Sequence, residues 1–262
     1  MNYLKKRMIL AALGMVCLTL TGCFTLFDSE TGGSGGTEAR KYSGDSRSDE
    51  IIAYMNATYP EDEFYYLKPQ GGGQGLPETQ ILMTSKNFPE KEIWGYYSDN
   101  TERVYQYMDN YLAVKYQDSS HEKIGELLDE IFKGTDYYYY PAEAGVIHMH
   151  TGHLGNLSFD EYMANDENQA GFGIIINIPA EEINQEEFEQ KIAEVFKENN
   201  ISAGFGIEFA PDADLYNRFK NGEIVSWEYY DLIVKAQLTY LRFEGRIYSE
   251  RENEFTWREM HV

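Results

Sequence analysis

Apolar and polar residues recur with two different periods along this chain, and these periods predict both helices and strands. Apolar residues three and four positions apart predict helices, which we place around residues 51–59, 124–132 and 188–196. Alternating or continuous apolar runs predict strands, which we place at residues 63–68, 79–85, 91–97 and 137–140. Residues 103–116 fit both periods, so that segment is expected to be either a helix or a strand.

Capping signals predict where two of the helices begin. Ser119 and Glu122 have the spacing of a capping box, and we expect the helix that follows them to end at Gly134. Ser158 and Glu161 have the same spacing and predict a short helix.

A five-residue sequence occurs twice in the C-terminal half. Ala-Gly-Phe-Gly-Ile stands at residues 170–174 and again at 203–207, and a helix is expected to start after Asn184 between the two copies. A strand, a helix and a strand at this spacing predict a βαβ unit with both copies in one sheet. The glycines fit two interpretations: a ligand that approaches the backbone, or a bulge or close packing against the helix.

The C-terminal region is ambiguous, because Tyr230 to Leu241 fit both the helical and the strand period. Glu244-Gly245 predicts a hairpin turn, which favours antiparallel strands on both sides of it and a further strand at 255–260. The fold class that follows is α+β, with helices packed on a mainly antiparallel sheet and at least one βαβ crossover. Two similar α/β halves that meet near residues 141–170 are the other arrangement of this class.

The N-terminal segment has a pattern of its own. Lys5, Lys6 and Arg7 precede an apolar run at residues 8–20, and Leu20-Thr21-Gly22-Cys23 closes that run. The run is shorter than the roughly 20 residues that a membrane-spanning helix needs, and the order of its parts matches a secretory signal peptide. The segment resembles bacterial lipoprotein precursors with a lipobox. The resemblance implies cleavage before Cys23, acylation of that cysteine (palmitate is typical) and an extracytoplasmic position on a bacterial membrane, at the cell surface or the periplasmic face.

This resemblance divides the chain into a signal peptide (1–22), a lipid anchor with a flexible Gly/Ser-rich tether (23–47) and a globular α+β domain (48–262). Cys17 would leave with the signal peptide, and lipid would occupy Cys23. The mature chain then has neither a disulfide nor a cysteine nucleophile. An ordinary secretory signal with a chance cysteine is the alternative. Residues 55–64 and 109–116 also resemble uncharacterised surface lipoproteins of bacteria.

Charge and aromatic content constrain the partners. The precursor has a net charge of −22, and removal of the three basic residues of the signal peptide leaves −25. Such a chain repels nucleic acid and anionic headgroups, so lipid on Cys23 is the expected membrane contact. The 22 tyrosines suit a protein, peptide or glycan partner. Candidate faces are Tyr96-Tyr97, the four tyrosines at 137–140, which place two on each strand face, and Tyr229-Tyr230.

Three histidines close together in the sequence are the candidate ligands of a metal ion: His148, His150 and His153. On a strand, His148 and His150 point to the same face, where neutral imidazoles are zinc ligands by type; His153 would join them from the turn, and Asp160 or Glu161 would add an oxygen. The spacing resembles the metal motif of metallo-β-lactamase-type hydrolases, although Gly152 stands where that family has a ligating aspartate.

The function predicted is a membrane-anchored, non-catalytic binding or interaction module without a cofactor. The alternative is a metal-binding protein, or a metal-dependent hydrolase, with zinc at the three histidines. A polar strand end that happens to carry histidines is the third interpretation of that segment.

Overall fold

The computed structural model describes residues 39–41, 43–72, 78–99, 105–141, 154–168, 170–179 and 182–261. The helices are α1 (Ser46–Thr58), α2 (Tyr111–Lys115), α3 (Gln117–Ile131), α4 (Phe159–Ala164), α5 (Gln185–Glu198), α6 (Ala213–Lys220) and α7 (Ser226–Ala236). The strands are β1 (Phe64–Gly72), β2 (Glu78–Ser85), β3 (Ile93–Ser98), β4 (Tyr107–Asp109), β5 (Tyr137–Pro141), β6 (Gly171–Ile176), β7 (Ala203–Phe209), β8 (Thr239–Ile247) and β9 (Glu254–His261).

The strands form two sheets, and each sheet keeps its strands in chain order. β1 to β4 make a four-stranded sheet in which every neighbouring pair is antiparallel. β5 to β9 make a five-stranded sheet in which only the β6–β7 pair is parallel. Helix α5 connects these two parallel strands. The predicted α+β class, with mainly antiparallel sheets and one βαβ crossover, is therefore confirmed.

Apolar side chains form two clusters, one on each face of the five-stranded sheet. The large cluster joins the inner face of this sheet to the four-stranded sheet, and it includes Ile174 and Ile176 of β6. The small cluster lies on the outer face beneath α6 and α7, and it includes Ile175. Successive residues of a strand point to opposite faces, which explains how one run of three isoleucines supplies both clusters.

The two copies of the repeated sequence lie side by side, as predicted. Phe172 of β6 is the register partner of Phe205 of β7, and their ring centroids are 5.8 Å apart. Phe196 of α5 stacks on Phe172 with a centroid distance of 5.5 Å, so the crossover helix covers the inner face of the sheet. The glycines of the repeat point to the outer face, and packing against the crossover helix is therefore not their role.

The two capping boxes have different outcomes. At α4, Ser158 and Glu161 form the predicted reciprocal box. Helix α3 instead begins at Gln117, so the prediction of its start at Ser119 is wrong. The reason is that α2 leads directly into α3, and the backbone N–H of Tyr116 already donates to Leu112. A helix entered from a preceding helical turn has fewer unsatisfied N–H groups to cap.

The segment 103–116 contains both of the expected alternatives, because strand β4 is followed directly by helix α2.

In the C-terminal region the preference for strands is wrong at its beginning, since residues 226–236 form α7 and a left-handed Gln237 (φ 53°) ends the helix. The predicted hairpin turn at Glu244-Gly245 is also wrong. β8 runs straight through it, and a Cβ on Gly245 would lie 1.8 Å from the carbonyl oxygen of Glu254 on β9. This glycine permits a close strand approach rather than a turn.

The last part of the tether that the structure describes pairs with the four-stranded sheet. The backbone N–H of Arg40 donates to Tyr66 at 2.8 Å, and the N–H of Tyr66 donates back at 2.7 Å. Asp45 then caps α1 by accepting from the N–H of Ser48 at 3.0 Å. Within the described ranges, no helix combines the length and the apolar character that a membrane crossing requires.

Candidate functional site

The predicted lipidation site and the three histidines predicted to bind a metal lie outside the described residues. This applies to Cys23 and to the three histidines, His148, His150 and His153, which stay predictions. Glu161, proposed as an extra metal ligand, accepts from the backbone N–H and the hydroxyl of Ser158 at 2.8 and 2.6 Å. In the part of the chain that the structure describes, no group of three or more His, Cys, Asp or Glu residues is arranged to hold a metal ion.

The tyrosines predicted as binding faces serve mainly in packing. Tyr96, Tyr97 and Tyr229 are buried. The four tyrosines of β5 divide between the two clusters, two on each face of their strand, as expected. Three of these eight tyrosines are therefore in the interior of the protein, and the other five are partly buried.

Exposed apolar surface is concentrated at α7. Among the described residues, three large apolar side chains stand exposed: Val225 (52%), Trp227 (69%) and Val234 (47%). We call these three residues the α7 face: Val225 is the extended residue just before the helix, and Trp227 and Val234 are seven positions apart, which places these two on one side of the helix. Isolated exposed apolar residues are normal on protein surfaces, but a cluster on one element is typical of an interaction site.

The buried side of α7 explains why this helix presents that face. Tyr229 and Ile233 lie in the small cluster against the five-stranded sheet. At the start of the helix, the carboxylate of Glu228 accepts from the backbone N–H of Val225 at 3.1 Å. At its end, the N–H of Leu238 donates to the carbonyl of Ile233 at 3.1 Å. Both termini and the inner side are thus satisfied, and Trp227 points outward.

A buried carboxylate ties α7 to the sheet. Glu208 lies on β7 with 3% of its surface exposed, and the hydroxyl of Tyr230 on α7 donates to its Oε2 at 2.8 Å. Arg242 of β8 places Nη1 3.4 Å from Oε1. Burial raises the pKa of Glu208, while the Arg242 charge and the Tyr230 hydrogen bond act to lower the same pKa.

From Glu208 toward the solvent, acidic and basic side chains alternate in the order Glu208, Arg242, Glu244 and Arg258. Nε of Arg242 is 2.7 Å from Glu244, and Arg258 on the edge strand β9 is 3.2 Å from the other oxygen of Glu244. Because both oxygens of Glu208 are engaged, this arrangement fits a structural tie better than a general base, which needs a free lone pair near its substrate.

Glu208 has a signal in the sequence that was missed. It is the register partner of Ile175, so the second copy of the repeated strand has a carboxylate where the first has an isoleucine. A charged residue inside an otherwise apolar strand predicts a buried, paired group. Trp227 could not be found in this way, because it precedes the ambiguous segment from Tyr230 to Leu241 and no element was predicted around it.

The glycines of the repeat differ in their surroundings. A Cβ on Gly173 would lie 2.0 Å from the ring of Tyr140, so close packing requires a glycine there. A Cβ on Gly204 would have only ordinary contacts, the nearest 3.8 Å away at Nη1 of Arg246. Close packing therefore explains Gly173, although the packing group is a tyrosine of β5 and not the helix.

The four-stranded sheet contains a second buried carboxylate. Asp109 ends β4 and accepts from the hydroxyl of Tyr59 at 3.1 and 3.2 Å and from the backbone N–H of Tyr111 at 2.8 Å. Burial raises the pKa of Asp109 to about 7, against the two hydrogen bonds, which lower it. Asp109 lies in the protein core, so this group bears on stability.

No protein-family model matches the chain, and no curated protein matches it. Among solved structures, the chain is similar to the crystal structure of a DUF5037 family protein from Ruminococcus gnavus ATCC 29149. The two share 16% identity with a TM-score of 0.35, over 78% of this chain and 93% of that chain. A likeness of this degree carries no argument about function.

Proposed function

We propose that this chain is a lipoprotein anchored to the outside of a bacterial cytoplasmic or outer membrane, and that it binds a partner without catalysing a reaction. The observation that carries the proposal is the lipobox Leu20-Thr21-Gly22-Cys23 behind a basic and apolar leader. The anchor is the lipid on Cys23, and the acidic body is repelled by anionic headgroups.

The start of the folded body is consistent with a tethered protein. Arg40 is held by β1 through two backbone hydrogen bonds with Tyr66. Seventeen residue steps separate Cys23 from Arg40. Such a segment spans at most about 60 Å when extended and roughly 20–25 Å on average as a flexible coil. A lipid on Cys23 would therefore keep the body within that reach of the membrane.

Binding is supported better than catalysis by the described residues. The buried charges of the five-stranded sheet are paired with one another, and the α7 face is exposed. Exposed apolar side chains gathered on one helix favour contact with another molecule.

The anchor is tested by metabolic labelling with palmitate and by membrane fractionation. We expect the wild-type chain to carry label and to fractionate with membranes, and Cys23→Ala to lose the label. Cys17→Ala is the matched control, because Cys17 lies in the segment that is removed, and this variant should stay labelled. Label that persists in Cys23→Ala, or a wild-type chain without label, would refute the anchor.

Zinc at His148, His150 and His153 stays the alternative prediction, since it rests on the spacing of the three histidines. Elemental analysis of the purified protein tests it, with His148→Ala and His150→Ala as controls. Stoichiometric zinc that both variants lose would favour this alternative and would count against a cofactor-free protein.

A further inference from the structure

The α7 face lies on the side of the molecule away from the tether. The described end of the tether pairs with β1 in the four-stranded sheet, which shares the large cluster with the inner face of the five-stranded sheet. Helix α7 packs on the outer face of that second sheet. The five-stranded sheet therefore separates the tether from the α7 face, and the membrane that holds Cys23 is a poor candidate for the surface that α7 contacts.

Acidic side chains lie before α7 and on its exposed side. Glu223 precedes the helix, two residues before its N-cap Val225, and Asp231 is one helical turn after Trp227. Glu223 is exposed, and Asp231 is partly exposed and forms an ion pair with Lys235 at 2.5 Å. The exposed side of α7 therefore presents an aromatic residue, an acidic residue paired with a lysine, and an apolar residue, with the exposed Glu223 in the segment before the helix.

Charge complementarity selects the kind of partner. A second copy of the chain would carry the same net charge of about −25, and an anionic membrane or a nucleic acid would be repelled for the same reason. A positively charged partner is attracted by the whole body and by Glu223 in particular. We propose that the α7 face docks a basic protein segment in which lysine or arginine alternates with apolar residues.

The contacts expected with such a segment follow from the chemistry of these exposed side chains. The indole of Trp227 offers an apolar surface and a π face for a lysine or arginine, and tryptophan is the side chain best suited to both. Val234 extends the apolar contact along the helix, Asp231 stands beside it, and Glu223 adds a charge in the segment before the helix, where charges set orientation and association rate. This inference rests on the proposed binding function and adds the surface and the class of partner.

The test is a titration of the full chain, purified in a nonionic detergent, with a short peptide of alternating lysine and leucine. We expect saturable binding that weakens with added salt, because the charged contacts are screened. Trp227→Ala should weaken binding on the order of tenfold, as central aromatic residues of interfaces do. Tyr65→Ala, which removes a partly exposed aromatic side chain from β1, is the matched control and should bind as the wild type does.

Two further measurements distinguish binding at the α7 face from nonspecific attraction by the net charge. Glu223→Gln should reduce the salt dependence, and an oligolysine peptide without leucine should bind less tightly than the alternating peptide. Equal thermal melting of the three variants and the wild type shows that the fold is kept, which we expect because the substituted side chains are not buried.

The proposal is overturned if the alternating peptide does not bind, or if Trp227→Ala and Tyr65→Ala bind it equally. Binding to an acidic peptide, to phosphatidylglycerol vesicles or to a chitin oligosaccharide that Trp227→Ala abolishes, without binding to the basic peptide, would also overturn it. The palmitate label reports on the anchor independently. Loss of peptide binding with the label intact refutes only this inference, and an unlabelled wild-type chain refutes the anchor whatever the peptide does.

Discussion

Asp109 in the four-stranded sheet and Glu208 in the five-stranded sheet are both buried carboxylates, yet their partners differ. Asp109 accepts from a tyrosine hydroxyl and a backbone N–H, both neutral donors. Glu208 accepts from a tyrosine hydroxyl and also faces the guanidinium of Arg242. Burial raises the pKa of both carboxyl groups; the hydrogen bonds from Tyr59 and Tyr111 act against that rise at Asp109, and the charge of Arg242 acts against it at Glu208. We expect Asp109 to respond to pH and Glu208 to respond to loss of its ion pair.

The largest effect is expected when the cation of the Glu208 pair is removed. Arg242→Met leaves a buried carboxylate without its charge partner, and the loss of one member of such a pair costs about 3–5 kcal/mol of unfolding free energy. Urea denaturation near neutral pH measures it. Arg258→Met is the matched control, because Arg258 is 38% exposed and exposed pairs contribute at most about 1 kcal/mol. Equal losses in the two variants would show that Glu208 does not depend on Arg242.

The next effect concerns the pH dependence of the stability that Asp109 contributes in the four-stranded sheet. Between the ordinary Asp pKa of 3.8 and the pKa of about 7 of Asp109, the folded protein holds a proton that the unfolded chain has released. Stability from this group therefore falls as pH rises through that window, by roughly 1.4 kcal/mol per pH unit, and is constant above it.

Asp109→Asn removes this titration. Between about pH 5 and about pH 8, we expect the variant to gain roughly 3 kcal/mol of unfolding free energy relative to the wild type. Urea denaturation at the two pH values gives the difference. Parallel stability profiles of the wild type and the variant would contradict the raised pKa of Asp109.

Removing the tyrosine hydroxyls compares the two carboxylates directly. Tyr59→Phe and Tyr230→Phe each delete a donor to a buried carboxylate, at a cost of about 1–3 kcal/mol. The loss for Tyr59→Phe should grow above neutral pH, where Asp109 is ionised, while Tyr230→Phe should be less sensitive because Arg242 remains. Chemical denaturation of both variants at about pH 5 and about pH 8 measures the two losses of unfolding free energy. A Tyr230→Phe loss that depends on pH more strongly than the Tyr59→Phe loss would reverse the assignment.

The smallest effects test the repeated sequence on the outer face of the five-stranded sheet. Gly173→Ala pushes a methyl group into the ring of Tyr140 and should cost about 1–3 kcal/mol, as overpacking does. Gly204→Ala has room and should change stability by less than about 0.5 kcal/mol. Thermal melting of the two variants is sufficient. If Gly204→Ala is as destabilising as Gly173→Ala, another group crowds Gly204.

Much of the fold could be predicted because local signals agreed with the tertiary structure. The repeated pentapeptide predicted two neighbouring strands joined by a helix, and Ser158 with Glu161 predicted the start of α4. Both signals involve residues close in sequence, or identical segments that pair with each other. In both cases the residues that give the signal are the same residues that form the strand pairing or the helix cap.

The candidate site could not be predicted, because it depends on tertiary contacts. The residues from Tyr230 to Leu241 fit both periods, and only burial of Tyr229 and Ile233 against the sheet distinguishes helix α7 from a strand. Gly245 has a turn-like sequence but is used for a close strand approach. Exposure of Trp227 follows from the position of α7, which no local pattern specifies.

The lipid on Cys23 is the central claim, and the mass of the N-terminal peptide of the mature protein tests it most directly. We expect the protein isolated from its own membrane to begin at Cys23 and to carry the added mass of a diacylglyceryl group on the thiol. A peptide that begins at Cys23 without that mass, or a mature chain that begins at another residue, would contradict the claim.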